Sequence, residues 1–332
     1  MKAILLINLG SPIDLKISSI RKYLREFLSD DSVLDFPKAL QFILVNFIIV
    51  PFRSPKTKIA YEQIWTDQGS PLITNTRSLA QNLSEKINIP VEVAMRYQEP
   101  SIKKGLKNLI ARGCREILAV PLYPQYSQST SLSTKLKVES VVKNIGNDVS
   151  VDISEPFFRE NGYILALKNS IQNNLPNEYD YLLFSYHGIP ERHVRKVDPT
   201  VSHCFSTDDC CDIESPAHAF CYRHQAFSTS KRCAEEIGLE NEKWSVSFQS
   251  RIGPGWLTPF TDKVLEQLPK KNIKKLAVVC PSFVVDNLET LEEMEIRGRE
   301  TFLNSGGKEF TYIPCLNDDS IFVDFLSDFV SR

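Results

Sequence analysis

Two groups of residues in this 332-residue chain could carry chemistry. The first is a histidine with an acidic pair. His187 stands in YLLFSYHGIPER, directly after an apolar run and before Gly188 and Pro190, so a strand ends there in a tight bend that presents the imidazole. Near pH 7 a neutral imidazole accepts a proton or donates its lone pair to a metal. Glu289 lies in CPSFVVDNLETLEEMEIRGRE, where Asp286 or Asn287 is placed to cap a helix whose first turn holds Glu289. Glu293, four residues on, shares its face, so the two carboxylates form a short acidic track; first-turn acids also complement the helix dipole. Glu292 and Glu295 are expected to face water. A histidine with one or two carboxylates suits Fe²⁺, Co²⁺ or Zn²⁺, and suits equally a base with its partner; both readings stay open.

The second group is sulfur-rich. Five of the eight cysteines, Cys204, Cys210, Cys211, Cys221 and Cys233, fall in a 30-residue window with His203, His218 and His224. Disulfide-rich secreted domains are much shorter and carry an export signal, whereas the opening MKAILLINLGSP reads as a first strand, so a reducing cytoplasm is the expected setting. Thiolates there bind soft or borderline metals. The pattern C-x5-CC-x9-C lacks the paired C-x2-C of a zinc ribbon, and a [2Fe-2S] cluster on Cys204, Cys210, Cys211 and Cys221 is the specific expectation, with Zn²⁺ or reduced structural thiols as alternatives.

The elements that must position these groups alternate along the chain. Strand-like runs occur at 2–9, 91–95, 116–122 and 149–153, and again at 179–186, 243–250, 274–280 and 309–314; amphipathic helical spacing fills most of the intervals. Near-continuous apolar strands joined by helices predict parallel sheets covered on both faces, here an α/β chain of two four-stranded Rossmann-like domains with a cleft between them. The hinge is expected at 155–160. In such folds ligands bind beyond the carboxyl ends of the strands, where Arg96, Tyr97, Tyr123, Tyr126, His187 and Gln249 stand.

Composition removes several classes. With 39 Lys plus Arg against 41 Asp plus Glu, the net charge is -2, which argues against nucleic acid as a partner. Neither GxGxxG after the first strand nor GxxxxGK(S/T) occurs, so no nucleotide cofactor is expected. The apolar stretch 39–50 is shorter than the roughly 20 residues of a spanning helix. It is either a buried helix or an exposed one that touches a bilayer or roofs a hydrophobic ligand.

Taken in order, NLGSP (8–12), GSPL (69–72), MRY (95–97), LYPQYSQST (122–130), SYHGIPER (185–192), SFQSRIGPGWLTP (247–259) and CPSFVVDNLETLEE (280–293) resemble the bacterial ferrochelatase family over essentially the whole chain. The resemblance implies two chelatase domains, residues 1–157 joined by 316–332 and residues 158–315 with a Cys-rich insertion at 200–226. It implies insertion of Fe²⁺, a substrate, into protoporphyrin IX with release of two protons. His187 and Glu289 would act on the metal and the pyrrole protons, and Glu293 would continue the acidic track. Leu9, Ile13, Arg96, Tyr97, Tyr123, Tyr126 and Trp256 would line the porphyrin site or its polar edge, and segment 36–52 would be a lip in peripheral contact with the membrane. Asn287 replaces a histidine found in some relatives, Arg297 stands where a further acid is expected, Ala226 where a fourth cluster cysteine is common, and Leu9 where users of coproporphyrin carry Tyr. The alternatives are a coproporphyrin III ferrochelatase, a chelatase of another tetrapyrrole, a non-catalytic haem or metal carrier, and a redox iron-sulfur protein. Monomer and homodimer are equally compatible.

Overall fold

The computed structural model describes residues 1–146 and 148–332. Among these residues eight strands form, all where apolar runs predict them: β1 (Lys2–Gly10), β2 (Val91–Tyr97), β3 (Glu116–Pro121), β4 (Ser150–Ile153), β5 (Tyr181–His187), β6 (Trp244–Gln249), β7 (Lys275–Val279) and β8 (Glu309–Ile313). They make two four-stranded sheets in the orders β2-β1-β3-β4 and β6-β5-β7-β8, paired in parallel throughout. Parallel strands need crossovers, and the helices that supply them cover the sheets, leaving β1 residues Leu5 to Ile7 and β5 residues Leu182 to Phe184 with no exposed surface.

The chain divides into two compact units: Met1–Tyr123, Gln128–Pro156 and Asn317–Arg332 form the first, and Pro124–Ser127 with Phe157–Leu316 form the second. The C-terminal helix Ser320–Val330 belongs to the first unit. It packs on the helix Pro71–Ile87, and Lys86 pairs with Asp324 at 2.6 Å. Pro124–Ser127 go with the second unit because Gln125 Nε2 donates to Thr229 Oγ1 (3.2 Å) and Tyr126 N–H donates to Gln225 Oε1 (2.7 Å) on the helix Tyr222–Ile237.

The first unit's core gathers β1 and β3 around Leu5, Ile7, Ala119 and Leu106; the second's gathers β5 and β7 around Leu183, Val278, Met294 and Phe302. From Lys38 onward segment 36–52 is helical, running from a short α-helix at Lys38–Ile43 through a π-helix at Leu44–Ile49 into the helix Val50–Ile64. Val45 and Val50 are buried, but Phe42, Phe47 and Phe52 are 60%, 65% and 76% exposed, so the exposed reading holds over the buried one. Among the described residues no helix is long and apolar enough to cross a membrane.

Candidate active site

In the second unit, the last residue of β5, His187, pairs in register with the last residue of β6, Gln249. Its backbone N–H donates to Ser282 Oγ (3.1 Å), and its carbonyl accepts from Tyr222 Oη (2.9 Å), so the main chain is fixed on both sides. The ring Nδ1 lies 2.7 Å from the Gly188 carbonyl oxygen. A carbonyl only accepts, so Nδ1 carries the proton and the neutral ring keeps its lone pair on Nε2. Gly188 is required here, because a Cβ would stand 2.7 Å from the Gln249 carbonyl oxygen and 3.4 Å from the Trp256 ring. Trp256 is half-buried against this bend and bridges to Pro190.

Glu289 opens a helix that follows β7. Asn287 is its N-cap: Asn287 Oδ1 accepts from the N–H groups of Glu289 (2.9 Å) and Thr290 (3.2 Å), while Thr290 Oγ1 accepts from the Asn287 N–H (3.0 Å). This reciprocal pair satisfies donors that a helix start leaves unpaired. Gln249 joins the two sides of the site. Its Nε2 donates to the Glu289 carbonyl (3.1 Å) and its Oε1 accepts from Ser185 Oγ (2.8 Å). Asp286, one turn before, is buried and receives Tyr312 Oη (2.6 Å) and Thr290 Oγ1 (3.0 Å).

The helix from Glu289 to Gly298 is a π-helix, continued as an α-helix at Arg299–Asn304. That corrects the expectation for its acids. Glu292 is only 7% exposed and Glu295 half-buried, because the widened turn breaks the 3.6-residue wheel on which both were placed toward water. Burial outweighs the neighbouring Arg299 charge and raises the Glu295 carboxyl above its ordinary range. Glu293 is held at both oxygens: Oε1 accepts from the Ser250 N–H (2.8 Å) and Oε2 from Ser250 Oγ (2.5 Å). It borders a cavity of about 360 Å³ with Ser250, Arg251, Asp262 and Arg297, and neither His187 nor Glu289 is in that wall.

In the first unit, Arg96 and Tyr97 close β2 but turn to their own neighbours. The Asp30 carboxylate accepts from the Arg96 guanidinium, from Tyr97 Oη (2.9 Å) and from Ser133 Oγ (2.6 Å). Burial raises the Asp30 carboxyl, but the Ser133, Ser32, Arg96 and Tyr97 contacts outweigh it and hold the group below its ordinary range. Tyr97 is wholly buried, and Tyr123 nearly so, and burial pushes both phenols up. These three residues are therefore packed into the frame of the first unit. Leu9, half-buried, and Ile13, 53% exposed, are the apolar positions there that keep accessible surface. Tyr126, in the second unit, sets its ring edge-on to Phe220 at 5.3 Å. Asp30 and Tyr222 were not legible as site residues, since nothing in an SDD turn or a helix start marks them.

The Cys-rich insertion folds around its thiols. Cys204, Cys210, Cys211 and Cys221 are all free and buried. Cys210 Sγ accepts from the Phe205 N–H (3.4 Å) and, with Cys211 Sγ, from Arg223 (3.6 and 3.7 Å), and Cys221 Sγ accepts from the His224 N–H (3.4 Å). Hydrogen bonding from the Cys211 thiol, aided by His224 and Cys204, lowers the Cys221 thiol despite its burial. Burial is the largest single influence on the Asp198 carboxyl and raises it, but the N–H groups of Cys204, Thr200 and His203 and the Thr200 hydroxyl together outweigh it and depress the group to about 2. Cys233 lies apart, wholly buried in the helix Tyr222–Ile237. Among the described residues no three His, Cys, Asp or Glu groups are placed to hold one metal ion. Thiolate sulfur is the donor type that a [2Fe-2S] cluster takes.

The ferrochelatase family model matches residues 1–332. A ferrochelatase of Opitutus terrae is 46% identical over 331 residues, covering 98% of this chain and 96% of that one, and a ferrochelatase of Pseudomonas fluorescens is 43% identical, covering 99% and 97%. Among solved structures, SirB from Bacillus subtilis with Fe³⁺ superposes with a TM-score of 0.57 at 12% identity, covering 99% of this chain and 94% of that one, which bears on the fold alone. Matched end to end by the family model and by relatives well above 30% identity, the chain belongs to the ferrochelatase family.

Proposed function

We propose that the chain inserts Fe²⁺ into protoporphyrin IX, with His187 and Glu289 as the working residues. Insertion of iron into a porphyrin is the activity of the family to which it belongs; the choice of porphyrin and the residue roles are the finer reading. The observation that carries the roles is the imidazole at the end of β5, with its lone pair on Nε2, beside a helix start that presents Glu289 and is tied to the same Gln249. Two pyrrole N–H bonds break, four Fe–N bonds form, and iron stays ferrous. His187 Nε2 takes a pyrrole proton, and Glu289 holds the incoming metal or passes the second proton outward. Glu293 is assigned to holding Ser250, since both its oxygens are engaged there.

Leu9 supports protoporphyrin IX over coproporphyrin III, because an apolar side chain at that position offers no hydroxyl to an extra carboxylate. The exposed Phe42, Phe47 and Phe52 support peripheral contact with a bilayer on the cytoplasmic side. A [2Fe-2S] cluster on Cys204, Cys210, Cys211 and Cys221 is supported by their four buried thiols and the N–H and guanidinium donors to sulfur. The test is an anaerobic insertion assay with protoporphyrin IX and coproporphyrin III in parallel, after the visible spectrum of the purified protein is recorded. A higher kcat/KM for coproporphyrin III overturns the porphyrin assignment. A protein made under iron-replete anaerobic conditions without absorption between about 400 and 600 nm overturns the cluster, because ferric thiolate absorbs there.

A further inference from the structure

A ten-residue π-helix needs something to hold it, since its i→i+5 bonding is rare and occurs mostly as single turns. In the stretch Glu289–Gly298 one side-chain contact has the spacing to do this. Arg297 Nε donates to Glu292 Oε1 (2.7 Å) and Arg297 Nη2 to Glu292 Oε2 (2.9 Å), a two-pronged ion pair between residues five apart. In an α-helix residues five apart point about 140° away from each other, at 3.6 residues per turn. In the wider turn of a π-helix the fifth residue comes round much nearer to the first, so the pair closes more readily there. The main chain agrees at the exit, where the Arg299 N–H reaches back five residues to the Met294 carbonyl. The carboxylate side is 9% exposed and the guanidinium side 57%, so the acid is anchored inside the fold and the arginine reaches over it from the surface. Burial opposes the Arg297 charge, but Glu292, Glu293 and Glu289 together favour it and raise its pKa, which places the guanidinium within the field of the acids the helix presents.

We propose that Glu292 and Arg297 are positioning residues whose ion pair locks the π-turn and thereby sets Glu289 toward His187 while Glu293 stays on Ser250. The proposal rests on the reading of His187 and Glu289 as the working pair. Its variants are Arg297→Gln, Arg297→Lys, Glu292→Gln and the double Glu292→Gln/Arg297→Gln, with Glu289→Gln as reference. Each is assayed anaerobically with Fe²⁺ and protoporphyrin IX for kcat, KM for iron and their pH dependence, with porphyrin affinity read by fluorescence quenching and folding by thermal melting. Arg297→Gln and Glu292→Gln are each expected to lower kcat about tenfold, as ångström-scale misplacement does, with porphyrin affinity unchanged. The double variant should be no worse than the worse single one, the mark of one shared interaction. Arg297→Lys should recover part of the rate, since it keeps the charge without the two-pronged geometry. Wild-type kcat in Arg297→Gln, additive losses in the double variant, or a fall in porphyrin affinity as large as that in kcat would overturn the clamp while Glu289→Gln remains crippled. If Glu289→Gln itself inserts iron at the wild-type rate, the site assignment fails and the clamp with it.

Discussion

The two units share one strand order and differ in what they place at its end. In each, the last residue of the central strand pairs with the last residue of the edge strand: Gly10 with Tyr97 in the first, His187 with Gln249 in the second. In each, the residue just past the edge strand adopts a left-handed conformation, Gln98 at φ 66° and Ser250 at φ 61°, and a glutamate accepts its N–H, Glu26 at 3.1 Å and Glu293 at 2.8 Å. Left-handed backbone costs a non-glycine residue roughly 1–3 kcal/mol, so both units hold it with a charged acceptor. The chemistry diverges one strand over. Gly10, at φ 114°, has no room for any side chain, because a Cβ would lie 2.1 Å from the Tyr97 carbonyl oxygen. At this strand end only the second unit therefore carries a side chain, His187, which is proposed as the working residue, and a strand-end glutamate clamp is a framing device in both.

The largest effect should come from the position where the units differ most. His187→Ala removes the proton acceptor and is expected to lower iron insertion about 10²–10⁴-fold, the usual contribution of a positioned acid or base, while fluorescence quenching reports near-normal porphyrin binding. A loss of porphyrin affinity of the same size would make His187 a binding residue instead. Next comes the pair of acids on the π-helix. Glu289→Gln is expected to cost about 10²-fold in kcat. Glu293→Gln, losing a charged clamp like that of Glu26, should instead cost about 1–3 kcal/mol in thermal stability and leave kcat within a few-fold. If Glu293→Gln loses as much turnover as Glu289→Gln without loss of stability, the likeness to Glu26 is broken and the acidic track is real.

The first unit offers the opposite test. Gly10→Ala should destabilise by about 2–4 kcal/mol, strain and overpacking together, and lower the melting temperature, while the folded fraction retains its kcat. A melting temperature equal to that of the wild-type protein would mean that the close approach of β1 to β2 is easily relaxed.

What was legible in the sequence follows from how local each cause is. All eight strands were readable, because a buried parallel strand needs an apolar run and little else, and the run ending in His187-Gly188 marked its own turn. The C-terminal return to the first unit was not spelled by any residue and came with the family resemblance. The π-helix was out of reach. The stretch Glu289–Gly298 winds as a π-helix, so a wheel drawn at 3.6 residues put Glu292 in water when it is buried. Arg96 and Tyr97 were correctly placed at a strand end, but the partner that turns them inward, Asp30, lies 66 residues earlier in sequence. Asn287, read only as one of two possible caps and as a missing histidine, proves to be the cap.

That inward-turned Asp30 gives the smallest of the expected effects and the one that sets the two units apart by pH. Its carboxyl is held below the ordinary range by Ser133, Ser32, Arg96 and Tyr97, so the folded state binds its proton less readily than the unfolded chain does. Stability from this group is therefore fully present above the unfolded pKa near 3.9 and is lost as pH falls through the lower folded value. Asp30→Asn should cost about 1–3 kcal/mol at neutral pH, because the Arg96 guanidinium, 12% exposed, keeps a hydrogen-bond acceptor but loses its counter-charge. The difference between wild type and variant should shrink as the pH is lowered below 4, since protonation neutralises the wild-type acid as well. Hydrogen exchange followed over the same pH range should register the loss first in β2 and the helix Ser133–Val142, and only later in β5, where His187 is held by Ser282 and Tyr222 without a carboxylate. Equal early loss in both sheets would mean that the units do not open independently, and that their likeness at the strand ends reflects one cooperative fold.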